Sequence, residues 1–298
     1  MAKTVGVVMT DRIAAGLIDG HAIAGSLRYF PEGESMEADE NGLIEMPADS
    51  LWELICDQIA TLAPAGSGVE AVGVAMPGMV RDGVVEDSPN LPQLKGARVA
   101  DAIESGLTAR GLGYPVSTLN DADAVAAGLA ATRGQLDRMV RVWTIGNGIG
   151  FGRFPNTEGP WEGGHMVVTL DPKENYCGCG GRGHLEGIMG HRAMRLRFLD
   201  LEPHEIFEHA KKGDKRCADF VERWHCALAA ATATQIHLEG PGRFYFTGRD
   251  VERLDLATLR EYLYKMVKMS PLQSYSLEVL PEDPSIAVIG AGTAAKSS

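Results

Sequence analysis

The order of strand-like and helix-like segments predicts an α/β protein with two domains around a cleft. Three loops support this prediction, because each follows a strand-like segment and carries glycine or polar residues: Pro77-Gly78, Asn120-Asp121 and Gly146–Gly150. Ligands of open α/β sheets bind beside the carboxyl ends of the strands. The 298 residues are enough for two domains. We therefore expect the ligand-binding residues in these loops.

The composition excludes several classes of protein. With 45% hydrophobic and 23% charged residues, it is typical of globular proteins. A formal net charge of −12 argues against a nucleic-acid surface. No apolar run reaches the ~20 residues that span a bilayer, and the start, MAKTVGVVMTDRIAAGL, lacks a signal-peptide pattern. Five cysteines, an odd number, indicate free thiols in a reducing cytoplasm. We expect a cytoplasmic protein without nucleic-acid or membrane partners.

The first half of the chain predicts alternating strands and helices. The β-branched run TVGVVM (4–9) and the segment AAGLIDG (14–20) predict two strands of a hairpin with a polar tip. Residues 51–62 have an apolar helical face, and Asp49 or Ser50 could cap this helix. A buried strand over 69–80 and a helix over 99–110 follow. A further strand ends at Asn120-Asp121, before a helix of small residues.

The second half begins with RVWTIGNGIGFG (141–152), which predicts a strand and a glycine-rich turn. Asn-Gly is also a strong hairpin signal, so a plain hairpin turn is the alternative. Residues 191–238 predict helices, in which His225 and His237 are interpreted as packing or surface residues. Residues 241–254 predict a strand, a turn and a helix start, and 255–268 predict a helix.

The stretch from Glu158 to Gly190 contains four candidate zinc ligands. Cys177 and Cys179 are one residue apart, His184 follows, and His165 precedes them. Thiolate and imidazole suit tetrahedral zinc, and a site closed by four such ligands is structural. The alternative is a glycine-rich loop with two incidental cysteines. A redox pair is disfavoured, because thioredoxin-type chemistry uses C-x-x-C.

The same stretch resembles the signature of the ROK family of sugar kinases and sugar-responsive repressors. That signature is E-x-G-H followed by C-x-C-G-x-x-G-C-x-E; Glu162–His165 matches the first half and Cys177–Glu186 the second. His184 stands where the family has its third cysteine. Histidine also binds zinc, so the resemblance implies a His2Cys2 site. The chain shows no helix-turn-helix extension, which disfavours the repressor branch.

The family's first phosphate loop, D-x-G-G-T, is not matched. Val7 takes the aspartate position, Met9 and Thr10 the two glycine positions, and Asp11 the threonine position. Glycine lets backbone approach phosphate, whereas Asp11 would add a negative charge beside an anion. This departure argues against ordinary use of ATP.

The family's second phosphate loop, T-x-G-T-G-I-G-G-G, is largely matched. Thr144, Gly146, Gly148, Ile149 and Gly150 agree with the pattern, and Asn147 replaces a threonine. A later family turn carries Gly-Gly beside adenosine, and here it reads Thr247-Gly248-Arg249. The resemblance therefore implies nucleotide contacts at Thr144, Gly146, Asn147, Gly148, Gly150 and Gly248.

The sugar residues of the family are matched better than its first phosphate loop. Asn120-Asp121 matches an N-D pair in which asparagine binds sugar hydroxyls and aspartate is the general base. The alternative is an Asx cap of the following helix, and both roles are compatible. The remaining sugar residues that the resemblance implies are Gly78, Asn90, Glu162, His165 and Glu186.

The resemblance implies the actin-like ATPase fold of hexokinase, which is ribonuclease H-like, with a sugar cleft between domains and a zinc loop. We expect a small α/β domain over 1–118, joined by a C-terminal helix at 284–298, and a large domain over 119–283. Residues 285–298 resemble the family's final strand and helix. A homodimer is expected.

The sequence therefore predicts a sugar kinase that transfers phosphate from ATP, with Mg²⁺, to a hexose or N-acetylhexosamine, with Asp121 as general base and a structural Zn²⁺. Two alternatives follow from the unmatched loop. One is a non-catalytic sugar-binding protein, and the other is an enzyme that uses another phosphoryl donor.

Overall fold

The computed structural model describes residues 3–32, 42–81, 83–155 and 161–295. Glu158, at the start of the predicted zinc stretch, lies outside these residues. The chain divides into two compact units. The first comprises Met1–Val140, Gly152–Trp161 and Asp283–Ser298, and the second Arg141–Phe151 and Glu162–Glu282.

The first unit is built on a six-stranded sheet in the order β3-β2-β1-β5-β8, with β4 paired to β2. A hairpin pairs β6 with β7. Strand β1 is antiparallel to β2 and parallel to β5, which is parallel to β8. The strands are β1 (Lys3–Met9), β2 (Ile13–Asp19), β3 (Ala22–Ile23), β4 (Arg28–Phe30), β5 (Val69–Met76), β6 (Met79–Arg81), β7 (Val84–Asp87) and β8 (Val116–Asn120). Its helices are α1 (Ala48–Leu62), α2 (Val99–Ala109), α3 (Asp121–Thr132) and, at the end of the chain, α9 (Pro284–Ala294).

Close packing between α9, the sheet and α3 depends on glycine. A Cβ added at Gly73 in β5 would lie 1.9 Å from the Ala291 carbonyl oxygen of α9. A Cβ added at Gly290 in α9 would lie 1.7 Å from the Ala124 carbonyl oxygen of α3. Larger side chains at either glycine would separate the backbones, so α3 is held against α9 in the first unit.

The second unit contains a four-stranded sheet in the order β10-β9-β11-β12. These strands are β9 (Val140–Ile145), β10 (Ile149–Phe154), β11 (Arg243–Thr247) and β12 (Ser276–Val279). The helices are α4 (Glu186–Met189), α5 (His191–Arg197), α6 (Pro203–Lys211), α7 (Lys215–Glu239) and α8 (Leu256–Met266). Aromatic residues of β9, α7 and β11, among them Trp143, Trp224 and Phe244, are fully buried in its core.

Three local features differ from the sequence predictions. Helix α1 begins at Ala48 directly after Pro47, and neither Asp49 nor Ser50 caps it, because both lie inside its first turn. Residues 285–294 are helical throughout, without the predicted strand: Pro284 stands in the first turn of α9, and the Asp283 side chain accepts a hydrogen bond from the Ser285 N–H. We predicted a domain boundary at 118/119, whereas 119–140 group with the first unit.

Within the described part of the chain, no helix combines the length and apolar character needed to cross a bilayer.

Candidate functional site

Asn120 connects the end of β8 to two neighbouring segments of the first unit. Its Oδ1 accepts hydrogen bonds from the backbone N–H groups of Ala122 (2.8 Å) and Asp123 (3.4 Å), which caps α3. Its Nδ2 donates to the carbonyl oxygen of Gly78, 3.1 Å away. The predicted capping role is therefore confirmed, and two of the predicted sugar residues, Gly78 and Asn120, are in direct contact.

Asp121 is the first residue of α3 and lies at the carboxyl end of β8. Its Oδ1 accepts from the Ala122 N–H at 2.9 Å. Burial raises the pKa of Asp121 because it disfavours the charged carboxylate, and the negative charge of Asp11 raises it further, against the effect of the backbone hydrogen bond. A carboxylate with a raised pKa is a better proton acceptor than an ordinary aspartate.

Gly78 and Asn90 lie on the segment that leads away from β5. Gly78 has φ +107°, and a Cβ there would lie 2.3 Å from the Asp87 carbonyl oxygen, so only glycine fits. Ser88 Oγ donates to the carbonyl oxygen of Pro77 at 2.8 Å. Asn90 follows two residues later in a turn, with its side chain exposed.

The unmatched first phosphate loop is a tight hairpin turn. Met9 pairs with Ile13, and the Thr10 N–H donates to the Arg12 carbonyl oxygen at 3.0 Å. Met9 is fully buried, whereas Thr10 and Asp11 are exposed. The guanidinium of Arg12 lies over the ring of Tyr29, 4.0 Å from its centroid. This is the hairpin with a polar tip that the sequence predicts.

The matched second phosphate loop is the turn between β9 and β10. Thr144 lies near the end of β9 and Gly150 lies in β10, and the Gly146 N–H donates to the Gly148 carbonyl oxygen at 3.1 Å. Asn147 is exposed at the tip. The turn thus presents backbone and one amide side chain, which is the kind of surface that phosphate oxygens approach.

The turn that follows β11 lies against the same end of β9. Gly248 has φ +105°, and a Cβ there would lie 2.6 Å from the Ile145 carbonyl oxygen. That oxygen accepts from the Asp250 N–H at 3.0 Å. Gly248 is therefore placed beside the second phosphate loop, in agreement with its predicted grouping with Gly146–Gly150.

Glu162 precedes a single 3-10 turn, Gly163–His165, that packs closely on the second phosphate loop. A Cβ at Gly164 would lie 1.9 Å from the Ile149 carbonyl oxygen, and one at Gly163 would meet the Phe151 side chain at 2.3 Å. The side chain of Glu162 is exposed. The two glycines explain how this motif lies directly on β10.

His165, Cys177, Cys179 and His184 come together in the second unit. One donor atom of each lies within 4.8 Å of all the others. The two Sγ atoms are 3.4 Å apart, and Cys179 Sγ is 3.3 Å from His184 Nδ1. Corners of a tetrahedron around zinc lie roughly 3.3–3.8 Å apart, given Zn–S near 2.3 Å and Zn–N near 2.0 Å. The predicted four residues therefore fit a zinc ion.

Glu186 lies between this cluster and the second phosphate loop. Its Oε2 accepts from the Ile149 N–H at 3.2 Å, and its Oε1 lies 3.7 Å from Cys177 Sγ. A Cβ at Gly148 would come within 2.6 Å of Oε2. The sequence predicts Glu186 as a sugar residue. Its contact with the backbone of the second phosphate loop is not predicted by the sequence.

Several charged residues near these loops were missed at the sequence level. Glu174 is buried and pairs with Arg197 and Arg223, and its carbonyl oxygen accepts from the Gly183 N–H, so it anchors the cysteine-containing loop. Arg249 donates to Asn147 Oδ1. These partners are tens of residues apart, and no spacing in the sequence pairs them.

Comparison with known proteins identifies the family. The sequence model of the ROK family matches residues 30–297, nearly the whole chain. The chain belongs to the ROK family.

Two curated relatives of this ROK protein are glucokinases. The one from Pyrobaculum calidifontis is 31% identical over 185 residues, 57% of this chain and 60% of the relative. The chain thus spans less than two thirds of that protein. The one from Thermotoga maritima is 28% identical over 273 residues, 79% of this chain and 83% of the relative.

A solved structure agrees along the full chain. The ROK family glucokinase from Streptomyces griseus, in complex with glucose and AMPPNP, has a TM-score of 0.73 at 24% identity, and the match covers 100% of both chains. The fold prediction is confirmed: this ROK protein has the α/β fold of the actin-like ATPases.

Proposed function

We propose that this ROK protein is a sugar kinase that transfers a phosphoryl group from ATP to a hydroxyl of a hexose or N-acetylhexosamine. Family membership supports this proposal, as do relatives named glucokinase and a fold neighbour in complex with glucose and AMPPNP. The observation that carries it is Asp121, a carboxylate with a raised pKa at the carboxyl end of β8.

Asp121 accepts the proton of the attacking sugar hydroxyl. The hydroxyl oxygen forms a bond to the γ-phosphorus, the bond between that phosphorus and the β–γ bridging oxygen breaks, and ADP leaves. Asn120, held by its bonds to Gly78 and α3, orients the sugar. The other proposed sugar residues are Gly78, Asn90, Glu162, His165 and Glu186. A carboxylate accepts several hydrogen bonds, so Glu186 can bind both the Ile149 N–H and a sugar hydroxyl.

The second phosphate loop and the turn at Gly248 hold the nucleotide. The proposed contacts are Thr144, Gly146, Asn147, Gly148, Gly150 and Gly248. When bound, Mg²⁺ neutralises charge on the phosphate oxygens. Phosphoryl transfer depends mainly on positioning and charge stabilisation, so these backbone contacts do most of what the protein contributes.

His165, Cys177, Cys179 and His184 hold a structural zinc. The support is their donor set and the short distances between their donor atoms. Because Glu186 lies beside Cys177 and bonds to Ile149, an ordered cysteine loop also orders the second phosphate loop.

The hairpin at Thr10–Arg12 favours a second candidate, a sugar-binding protein without kinase activity. Buried Met9 and exposed, negatively charged Asp11 stand where the family has glycine and threonine. An enzyme with another phosphoryl donor would fit the same observation.

Titration calorimetry with sugars and with ATP–Mg²⁺ tests the proposal. A panel of hexoses and N-acetylhexosamines should yield one class that binds, and ATP should bind in its presence. Sugar binding without nucleotide binding would favour the sugar-binding protein. Loss of the sugar signal is expected in Glu186→Ala; an unchanged signal would contradict the site assignment.

A further inference from the structure

Arg249 contacts the tip of the second phosphate loop. Its Nη2 donates a hydrogen bond to Asn147 Oδ1, although the two residues are 102 positions apart. Asn147 stands where the family's second phosphate loop has threonine, and Arg249 lies in the turn that carries Gly-Gly in the family. The two departures therefore form one interaction, and it brings a guanidinium to a loop that otherwise consists of backbone and small side chains.

The backbone that carries Arg249 is fixed on both sides. Gly248 packs against the Ile145 carbonyl oxygen, which accepts from the Asp250 N–H. The buried Asp250 carboxylate lies 2.8 Å from Arg253 Nη1 and 3.5 Å from His191 Nδ1. The backbone N–H of His191 in turn donates to the Gly146 carbonyl oxygen at 3.1 Å. The start of the arginine side chain is thus held rigidly beside the loop.

Two backbone N–H groups of this loop are already engaged. The Gly146 N–H already donates to Gly148, and the Ile149 N–H donates to the Glu186 carboxylate. That carboxylate lies directly behind Gly148 and repels any anion on the loop. A cation beside the turn would offset this repulsion, and Arg249 is bonded to the residue at the tip.

We propose that Arg249 binds a phosphate of the nucleotide donor and that Asn147 positions its guanidinium for this contact. The inference rests on the proposed kinase function and adds a phosphate-binding residue to it. A guanidinium presents five N–H donors in a planar fork, so it can contact Asn147 and phosphate oxygens together. The guanidinium supplies positive charge beside the phosphates. The hairpin at Thr10–Arg12 lacks the glycines that would let its backbone approach them.

Calorimetric affinities for ATP–Mg²⁺, AMP and adenosine, measured with saturating sugar, test this inference. Arg249→Ala should weaken ATP binding about 10- to 100-fold, the range of a hydrogen bond between charged groups. The affinity for AMP should fall less, and the affinity for adenosine should hardly change. Arg249→Lys should recover part of the ATP affinity, because it keeps a point charge without the planar fork. Asn147→Ala should show a smaller loss of the same kind.

Arg243→Ala is the matched control, since Arg243 is an exposed arginine at the start of β11. It should leave every affinity unchanged, and sugar affinity should be unchanged in all the variants, which shows that they are folded. Equal losses for ATP, AMP and adenosine would mean that Arg249 stacks on the base, and would overturn the proposal. Unchanged ATP affinity in an active enzyme would overturn it while leaving the kinase function intact. A wild-type protein that binds no nucleotide would contradict both.

Discussion

Two half-buried carboxylates occupy the first turn of α3, and loss of solvation raises the pKa of each. The pKa of Asp121 is raised by burial and by Asp11. The pKa of Asp123 is raised to about 6, again mainly by burial, although its Oδ1 accepts from the Arg153 N–H at 2.9 Å. One turn of helix therefore holds a proposed base and a neighbour that titrates near neutral pH.

Asp121→Asn should reduce phosphoryl transfer at least about 100-fold, because asparagine cannot accept the proton. Sugar affinity should change little. In the wild type, the base acts only when deprotonated, so its raised pKa moves the acid limb of the rate profile above that of an ordinary aspartate. Transfer rates across pH 4–8 check both points. Undiminished transfer by the variant would remove Asp121 from the mechanism.

Asp123→Asn should stabilise the protein above pH 7. A raised pKa means that the folded state holds the proton more tightly, so this group adds stability at low pH that is lost as pH rises through about 6. The variant removes that loss, and its melting temperature should exceed that of the wild type by about 1–3 °C at pH 8. The difference should vanish near pH 4. Asp49→Asn, at an exposed residue in the first turn of α1, is the surface control and should not raise the melting temperature at pH 8.

At the scale of elements, the cysteine-containing loop should depend on zinc for its structure. Elemental analysis should find about one zinc per chain in protein purified without added metal. Cys177→Ser should lower zinc content and folded yield, because metal binding contributes to the folding free energy of such loops. Cys226→Ser, in α7 and outside the cluster, should do neither. Wild-type protein without zinc and with freely reacting cysteines would contradict the assignment.

The hairpin between β1 and β2 offers a test of charge alone. Asp11 is exposed at its tip, so Asp11→Thr removes a negative charge without disturbing the core. ATP affinity should rise by up to about tenfold, which corresponds to ~1.4 kcal/mol. Met9→Gly is a poorer test, because loss of a fully buried methionine costs about 2–5 kcal/mol of stability. No change in ATP affinity for Asp11→Thr would show that the hairpin does not approach the nucleotide.

Short-range sequence patterns predicted individual helices, strands and loops better than they predicted the contacts between them. The four zinc-type donors lie in one window of twenty residues, so spacing alone suggested that they meet. The contact between Asn147 and Arg249 depends on β9 lying next to β11, which no local pattern specifies. Residue type makes Asp49 a candidate cap, but α1 begins at Ala48, directly after Pro47, so Asp49 lies inside its first turn.

At the scale of the whole molecule, the fold could be predicted because a long signature identified the family. Periodicity gave strands and helices, but it did not give the order β3-β2-β1-β5-β8 or the grouping of α3 with α9. That grouping depends on close approach at Gly128 and Gly290, and small residues in a helix do not reveal their partner. The family resemblance supplied the fold class, but neither the strand order nor the grouping of α3 with α9.

Product formation distinguishes a sugar kinase from a protein that only binds sugar. Wild-type protein, ATP, Mg²⁺ and the sugar class that binds should be followed by phosphorus NMR, with Asp121→Asn as the matched control. ADP and one sugar phosphate should appear together in equal amounts with the wild type, slowly, and not with the variant. Saturating sugar binding with no sugar phosphate from ATP would contradict the proposed kinase function.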